Sequence, residues 1–197
     1  MFKYLLSTTF LVLGISMIFI TYSPLKTYAE ENNVTKKDFG KVLVVYYSLN
    51  GNTRNIAMRI KEKTNADIYE IKTVRKYSSS PMIYITAKKE MNPKNYPDLK
   101  EKLPDFSQYD LIFVGSPVWW YTVASPVLSF LSQADFKGKT VVSFATHGGN
   151  YGSFFEDFEK KAKNANVIKG KDFKKVLKEN EIILNNKISN WLNNLNI

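Results

Sequence analysis

Cysteine is absent from all 197 residues. A disulfide framework, a thiol catalyst, a lipid-modified cysteine and a cysteine-based metal site are therefore excluded. Histidine occurs once, as His147. Acidic residues are scarce: 18 Asp and Glu stand against 28 Lys and Arg, a formal charge of +10. The basic residues are scattered from Lys36 to Lys187 and are not clustered with base-stacking aromatics. They read as a solvated face, and nucleic acid is a poor partner for it. Long-range attraction to an acidic partner, an anionic envelope polymer or lipid headgroups fits the charge better.

What is present begins with an apolar run. Lys3 precedes an uncharged segment from Tyr4 to Leu25, and Thr27-Tyr28-Ala29 supplies a small-residue ending. This pattern predicts a secretory signal over residues 1–29, cleaved before Glu30. The competing reading is an uncleaved membrane anchor, because about 20 apolar residues span a bilayer. Either reading places the remainder outside the cytoplasm, at a formal charge of +8 once Lys3 and Lys26 are set aside. Residues 30–39 are polar and read as a tether, and residues 40–197 as one domain. A composition 44% hydrophobic and 14% aromatic supports one core.

Within that domain, short apolar runs alternate with segments of helical period. Lys41–Tyr47 and Leu111–Gly115 predict buried strands, Asp67–Val74 and Thr140–Thr146 two more, and Asn166–Lys169 a short last one. Helices are expected over Thr53–Thr64, around Ile83–Lys89, over Ser125–Gln133, along Phe154, Phe155, Phe158 and Ala162, and along Leu184, Ile188, Trp191, Leu192 and Leu195. Alternation of this kind implies an α/β fold, a doubly wound five-stranded parallel sheet with helices on both faces.

Ligands of such sheets bind beyond the carboxyl ends of the strands. Three loops leave those ends. Ser48-Leu49-Asn50-Gly51-Asn52-Thr53 offers hydroxyls, amides and a glycine just before a helix. It reads either as a phosphate cradle on free backbone N–H groups or as an ordinary helix cap. Ser116-Pro117-Val118-Trp119-Trp120-Tyr121-Thr122 carries three large aromatics in a row. In extended chain these face alternate ways, so at least one points to a ligand or to solvent. Thr146-His147-Gly148-Gly149-Asn150-Tyr151-Gly152 lets backbone come close to a ligand. With no carboxylate near it in sequence, His147 reads as a structural hydrogen-bonding group ahead of a proton-transfer group.

Taken together, Tyr-Tyr-Ser-Leu-Asn-Gly-Asn-Thr, Gly-Ser-Pro-Val-Trp-Trp-Tyr-Thr and Ala-Thr-His-Gly-Gly-Asn-Tyr-Gly resemble the flavodoxin family over Lys41–Leu195. The resemblance is to the branch with Pro-x-Trp-Trp and Thr-His-Gly-Gly loops. It implies strand order 2-1-3-4-5 and one bound flavin mononucleotide (FMN). By that likeness Ser48, Asn50, Gly51, Asn52 and Thr53 would hold the phosphate. Pro117, Val118, Trp119 and Trp120 would line one side of the ring system, and Thr146, Gly148, Gly149 and Tyr151 would meet its edge. No catalytic residue beyond the flavin and no metal is expected. The implied role is an exported electron carrier serving redox partner proteins at the membrane or cell envelope, with an acidic partner surface suited to its charge. The alternatives are an NAD(P)H-dependent quinone or FMN reductase and a non-redox binder that has lost flavin. With no positive charge from the three loops, stacking on aromatic rings would lower the potential of the bound flavin.

Overall fold

The computed structural model describes residues 37–78 and 82–197. The expected signal and residues 30–36 of the tether lie outside the described residues. Among the described residues, no helix is long and apolar enough to cross a membrane.

The three central apolar runs form strands buried on both faces, whereas the two outer strands are largely exposed or half-buried. β1 (Val42–Tyr46), β2 (Asp67–Glu70), β3 (Leu111–Trp119), β5 (Thr140–His147) and β6 (Asn166–Lys174) pair in parallel in the order β2-β1-β3-β5-β6. β4 (Thr122–Val123) is a two-residue strand antiparallel to the end of β3. Counting the parallel strands alone, the order is the expected 2-1-3-4-5. Crossovers run through α1 (Asn52–Thr64), α2 (Met82–Lys89), α3 (Ser125–Gln133) and α4 (Phe154–Lys161), and α5 (Glu181–Asn193) closes the chain.

Two buried clusters cover the two faces of the sheet. Leu43, Val45, Ile112 and Val114 face Val127, Phe130 and Leu131 of α3 and Phe154 and Phe158 of α4. The alternate residues Val42, Val44, Tyr46 and Phe113 face Ile56 and Ile60 of α1 and Leu184, Ile188 and Leu192 of α5. Phe39 packs against the second cluster, so ordered packing begins before residue 40.

Three strand boundaries differ from those expected. β2 ends at Glu70, and Thr73 makes only an isolated bridge to Leu99. β3 runs on past Gly115 to Trp119, because Ser116 and Pro117 still pair with Ala145 and Thr146 of β5. β6 continues five residues beyond Lys169. Its register against β5 shifts between Val142 and Phe144, so Gly170 sits at an irregularity and does not stop the strand. A β-carbon on Gly170 would lie 2.1 Å from the Ser143 carbonyl oxygen. Lys169, Lys171 and Lys174 are exposed along β6, an edge strand whose polar sequence hides its length.

Gly115 marks the tightest point of the sheet. A β-carbon there would lie 2.1 Å from Cζ of Phe144, which is fully buried on the neighbouring strand. Gly115→Ala is expected to lower stability by about 1–3 kcal/mol through overpacking. The check is the urea midpoint, with an unchanged slope.

Candidate flavin site

The carboxyl ends of β1, β3 and β5 bring the three loops to one cleft of about 550 Å³. Such a volume suits a cofactor-sized ligand. Ser48, Asn50, Asn52, Thr53, Pro117, Val118, Trp119, Trp120, Thr146 and Gly148 line it, together with His147. Gly51, Gly149 and Tyr151 do not. Gly51 is spent on the helix start, at φ 84 with open space around its α-carbon. Tyr151 turns instead toward Phe155 and His147, with ring centroids 5.2 Å and 6.1 Å away.

At the first loop, the left-handed Gly51 provides the N-cap of α1 and no side chain caps it. The first helical bond runs from Asn55 N–H to the Gly51 carbonyl at 2.9 Å. The N–H groups of the preceding turn thus have no intrahelical acceptor and face the positive end of the helix dipole. This answers the alternative left open by the sequence: neither Asn52 nor Thr53 is an ordinary cap. Thr53 is buried, and its hydroxyl bonds the Thr146 hydroxyl at 2.8 Å, which ties the first loop to the third. The Ser48 hydroxyl oxygen is shielded and has no partner among the described residues. These features fit a phosphate group.

The aromatic loop is not extended where its rings are largest. Trp119 pairs with Thr122 across a two-residue turn, and Trp120 and Tyr121 both have positive φ, 50° and 64°. Such turns usually hold Asn or Gly, and the left-handed region costs other residues about 1–2 kcal/mol each. Several bonds hold the turn in place. The Tyr121 carbonyl accepts from Ser153 N–H at 2.9 Å, and the Trp120 indole N–H donates to the Tyr84 carbonyl at 2.9 Å. A β-carbon on Gly152 would sit 2.3 Å from that same Tyr121 oxygen, and its φ of 58° also favours glycine. The extended-chain premise therefore fails at Trp120 and Tyr121, although both rings do reach solvent.

Trp119 takes a different course, meeting Tyr47 and Tyr77 edge-on at 5.6 Å and 5.3 Å. Burial pushes both tyrosine hydroxyls far above their usual range. Beneath them lies Glu90, 2% exposed, accepting from the Tyr77 and Ser125 hydroxyls at 2.7 Å and 2.6 Å and pairing with Arg75 at 3.1 Å. A buried carboxylate so fully bonded fixes the wall behind the indole.

The third loop gives His147 a carboxylate neighbour that is distant in sequence. Its Nε2 lies 3.0 Å from the Asp172 carboxylate, contributed by β6, twenty-five residues away in sequence. The side chain is only 5% exposed and Nδ1 has no partner among the described residues. Pairing with Asp172 holds the ring in one orientation.

Two further segments reach the cleft without having been singled out from sequence. Ile83, Tyr84 and Ala87 come from α2, and Lys175, Leu177 and Lys178 from the turn after β6. That turn is clipped at both ends. Lys175 N–H donates to the His147 carbonyl at 2.9 Å, and Leu177 N–H to the Asn52 side-chain oxygen at 3.2 Å. Lys175 is itself left-handed, at φ 52. Among the described residues, the cleft lining thus contains two lysines and no carboxylate. The expected absence of positive charge holds for the three loops but not for the cleft. The only sequence signal was the lysine-rich stretch that also concealed β6.

A family model described as flavodoxin matches residues 41–195. The chain belongs to the flavodoxin family. Among solved structures, this flavodoxin-family chain is similar to a flavoprotein from Lactobacillus acidophilus in complex with FMN. The two share 28% identity and a TM-score of 0.62, covering 68% of this chain and 93% of that one. It is also similar to a protein from Bacteroides eggerthii assigned to the flavoproteins, at 29% identity and a TM-score of 0.68 over 80% and 98% of the two chains. No curated protein matches the chain.

Asp157 clips the aromatic turn to α4, accepting from the Thr122 and Ser153 hydroxyls at 2.6 Å each. Burial alone would raise its carboxyl, but those two hydrogen bonds, helped by Lys160 and Lys161, hold it below the usual range. A depressed carboxylate stabilises the fold above its unfolded value near 4, and that contribution is lost as pH falls through the folded value. Asp157→Asn is therefore expected to lower the urea midpoint at pH 7, with the gap to wild type closing below about pH 4.

Proposed function

We propose that this flavodoxin-family protein binds FMN non-covalently in the cleft and transfers electrons outside the cytoplasm. The observation that carries the reading is the convergence of an uncapped helix start, an aromatic wall and a glycine loop around one cleft of about 550 Å³. The similar flavoprotein from Lactobacillus acidophilus supports FMN as the ligand.

When bound, FMN supplies the redox chemistry, accepting and releasing electrons. The chain's own residues supply position and electrostatics. Ser48, Asn50, Gly51, Asn52 and Thr53 would take the phosphate on backbone N–H groups and hydroxyls, and the dipole of α1 favours its charge. Pro117, Val118, Trp119 and Trp120 would lie along the flat ring, while Thr146 and Gly148 would bring backbone to its edge; Gly149, outside the cleft lining, would reach it only if its loop moved. Tyr151 would join them only if its ring left Phe155.

The N-terminal apolar segment supports export, as a cleaved signal or as an anchor. The excess of lysine supports redox partners that are acidic. A carrier is favoured over an NAD(P)H-dependent reductase because no dedicated nicotinamide motif stands in the sequence.

The test is the visible spectrum of the purified protein after incubation with FMN and removal of the excess. One equivalent of bound flavin with shifted bands and quenched fluorescence is expected. A folded protein that takes up no flavin would remove the electron-transfer reading. Turnover of NAD(P)H with a quinone, without any added reductase, would move the assignment to an enzyme.

A further inference from the structure

The mouth of the cleft combines unneutralised positive charge with exposed apolar side chains. Trp120, Tyr84 and Leu177 line the cleft, yet are 42%, 67% and 58% exposed, and Tyr121 beside them is 63% exposed. Large apolar side chains gathered on one surface mark an interaction site, and aromatics are enriched in the buried centres of interfaces.

The charge around them is distributed unevenly. Arg54 is paired with Glu70, Arg59 with Glu181 and Arg75 with Glu90, so those positive charges are neutralised within the fold. Lys88, Lys175 and Lys178 have no carboxylate partner among the described residues. The Lys88 ammonium sits 4.8 Å from the centre of the Trp120 ring, and Lys175 and Lys178 line the cleft. Asp172, the nearest carboxylate of β6, is occupied by His147. Exposed Lys174 extends the positive rim along β6.

We propose that this face docks an acidic electron-transfer protein, its carboxylates meeting Lys88, Lys175 and Lys178 and its apolar surface covering Trp120, Tyr84 and Leu177. The proposal rests on the FMN reading for its purpose, since a partner seated there covers the opening of the flavin site. A planar lipid surface would meet the lysines but would leave the concave aromatic part of the rim unfilled. A protein surface satisfies both.

The probe is an acidic [2Fe–2S] ferredoxin, with the full-length chain held in nonionic detergent. Calorimetric titration of the flavin-free chain measures docking without regard to FMN. The double variant Lys175→Gln/Lys178→Gln is compared with Lys63→Gln/Lys137→Gln, which removes the same charge from the opposite end of the sheet. Saturable association is expected at low salt, weakened about tenfold by the first variant and less than twofold by the second. With FMN loaded, each reduced ferredoxin gives one electron to the flavin, and the stopped-flow rate should fall with salt in wild type and far less in the first variant. Equal weakening in the two variants would overturn the proposal, as would no saturable association. It would also be overturned by phosphatidylglycerol vesicles binding the chain through Lys175 and Lys178 while the ferredoxin does not. Docking to the flavin-free chain without FMN uptake would defeat the FMN reading alone.

Discussion

Parallel strands cannot be joined by tight turns, and each crossover must carry the chain back to the same edge before pairing resumes. Everything distinctive about this molecule follows from that constraint. Because β1, β3, β5 and β6 all end on one edge, segments far apart in sequence emerge side by side. The buried bond between Thr53 and Thr146 joins residues 93 apart, and Leu177 reaches Asn52 across 125. A cleft built this way is only as rigid as the sheet below it. That is why a missing β-carbon at Gly115, where Phe144 fills the space, matters to the loops above.

The sequence made most of this legible where hydrophobicity carries the information. Strands buried on both faces read as continuous apolar runs, and the phosphate-type loop announced itself through a glycine just before a helical period. What remained hidden depended on residues that carry no such signal. β6 is an edge strand with lysines at Lys169, Lys171 and Lys174, so its true extent looked like loop. Asp172 lies on that strand, and the carboxylate beside His147 was therefore invisible from the sequence around the histidine. Glu90 was missed for a similar reason. Its burial is made tolerable by Tyr77, Ser125 and Arg75, which stand 13, 35 and 15 positions away and meet only in the folded chain.

Charge is where this chain departs from an ordinary reading of its loops. The three segments that the resemblance singles out carry no lysine, arginine or carboxylate. A fourth, the turn after β6, brings two lysines into the cleft, held by Lys175 N–H on the His147 carbonyl and Leu177 N–H on the Asn52 side-chain oxygen. Their placement is thus fixed by main-chain geometry, although the side chains themselves are long and solvated. A positive field beside a ligand that gains negative charge on reduction opposes the lowering of potential expected from aromatic stacking. The two influences come from different parts of the chain and can vary independently.

The aromatic turn shows how such a site tolerates local conflict. Trp120 and Tyr121 occupy left-handed backbone that bulky residues avoid, so the turn is unfavourable by itself. Its surroundings over-determine it. Ser153 and Gly152 fit around the Tyr121 carbonyl, Thr122 is tied to Asp157, and the Trp120 indole is bonded to α2. Strain held in this way keeps two large rings at the opening of the cleft, where packing alone would draw them inward. The same contacts connect the rim to α2 and α4, the helices that follow β2 and β5. A ligand or partner that presses on Trp120 therefore acts directly on α2, and the turn is coupled to the core through Thr122 and Asp157 of α4, the helix that buries Phe154 and Phe158.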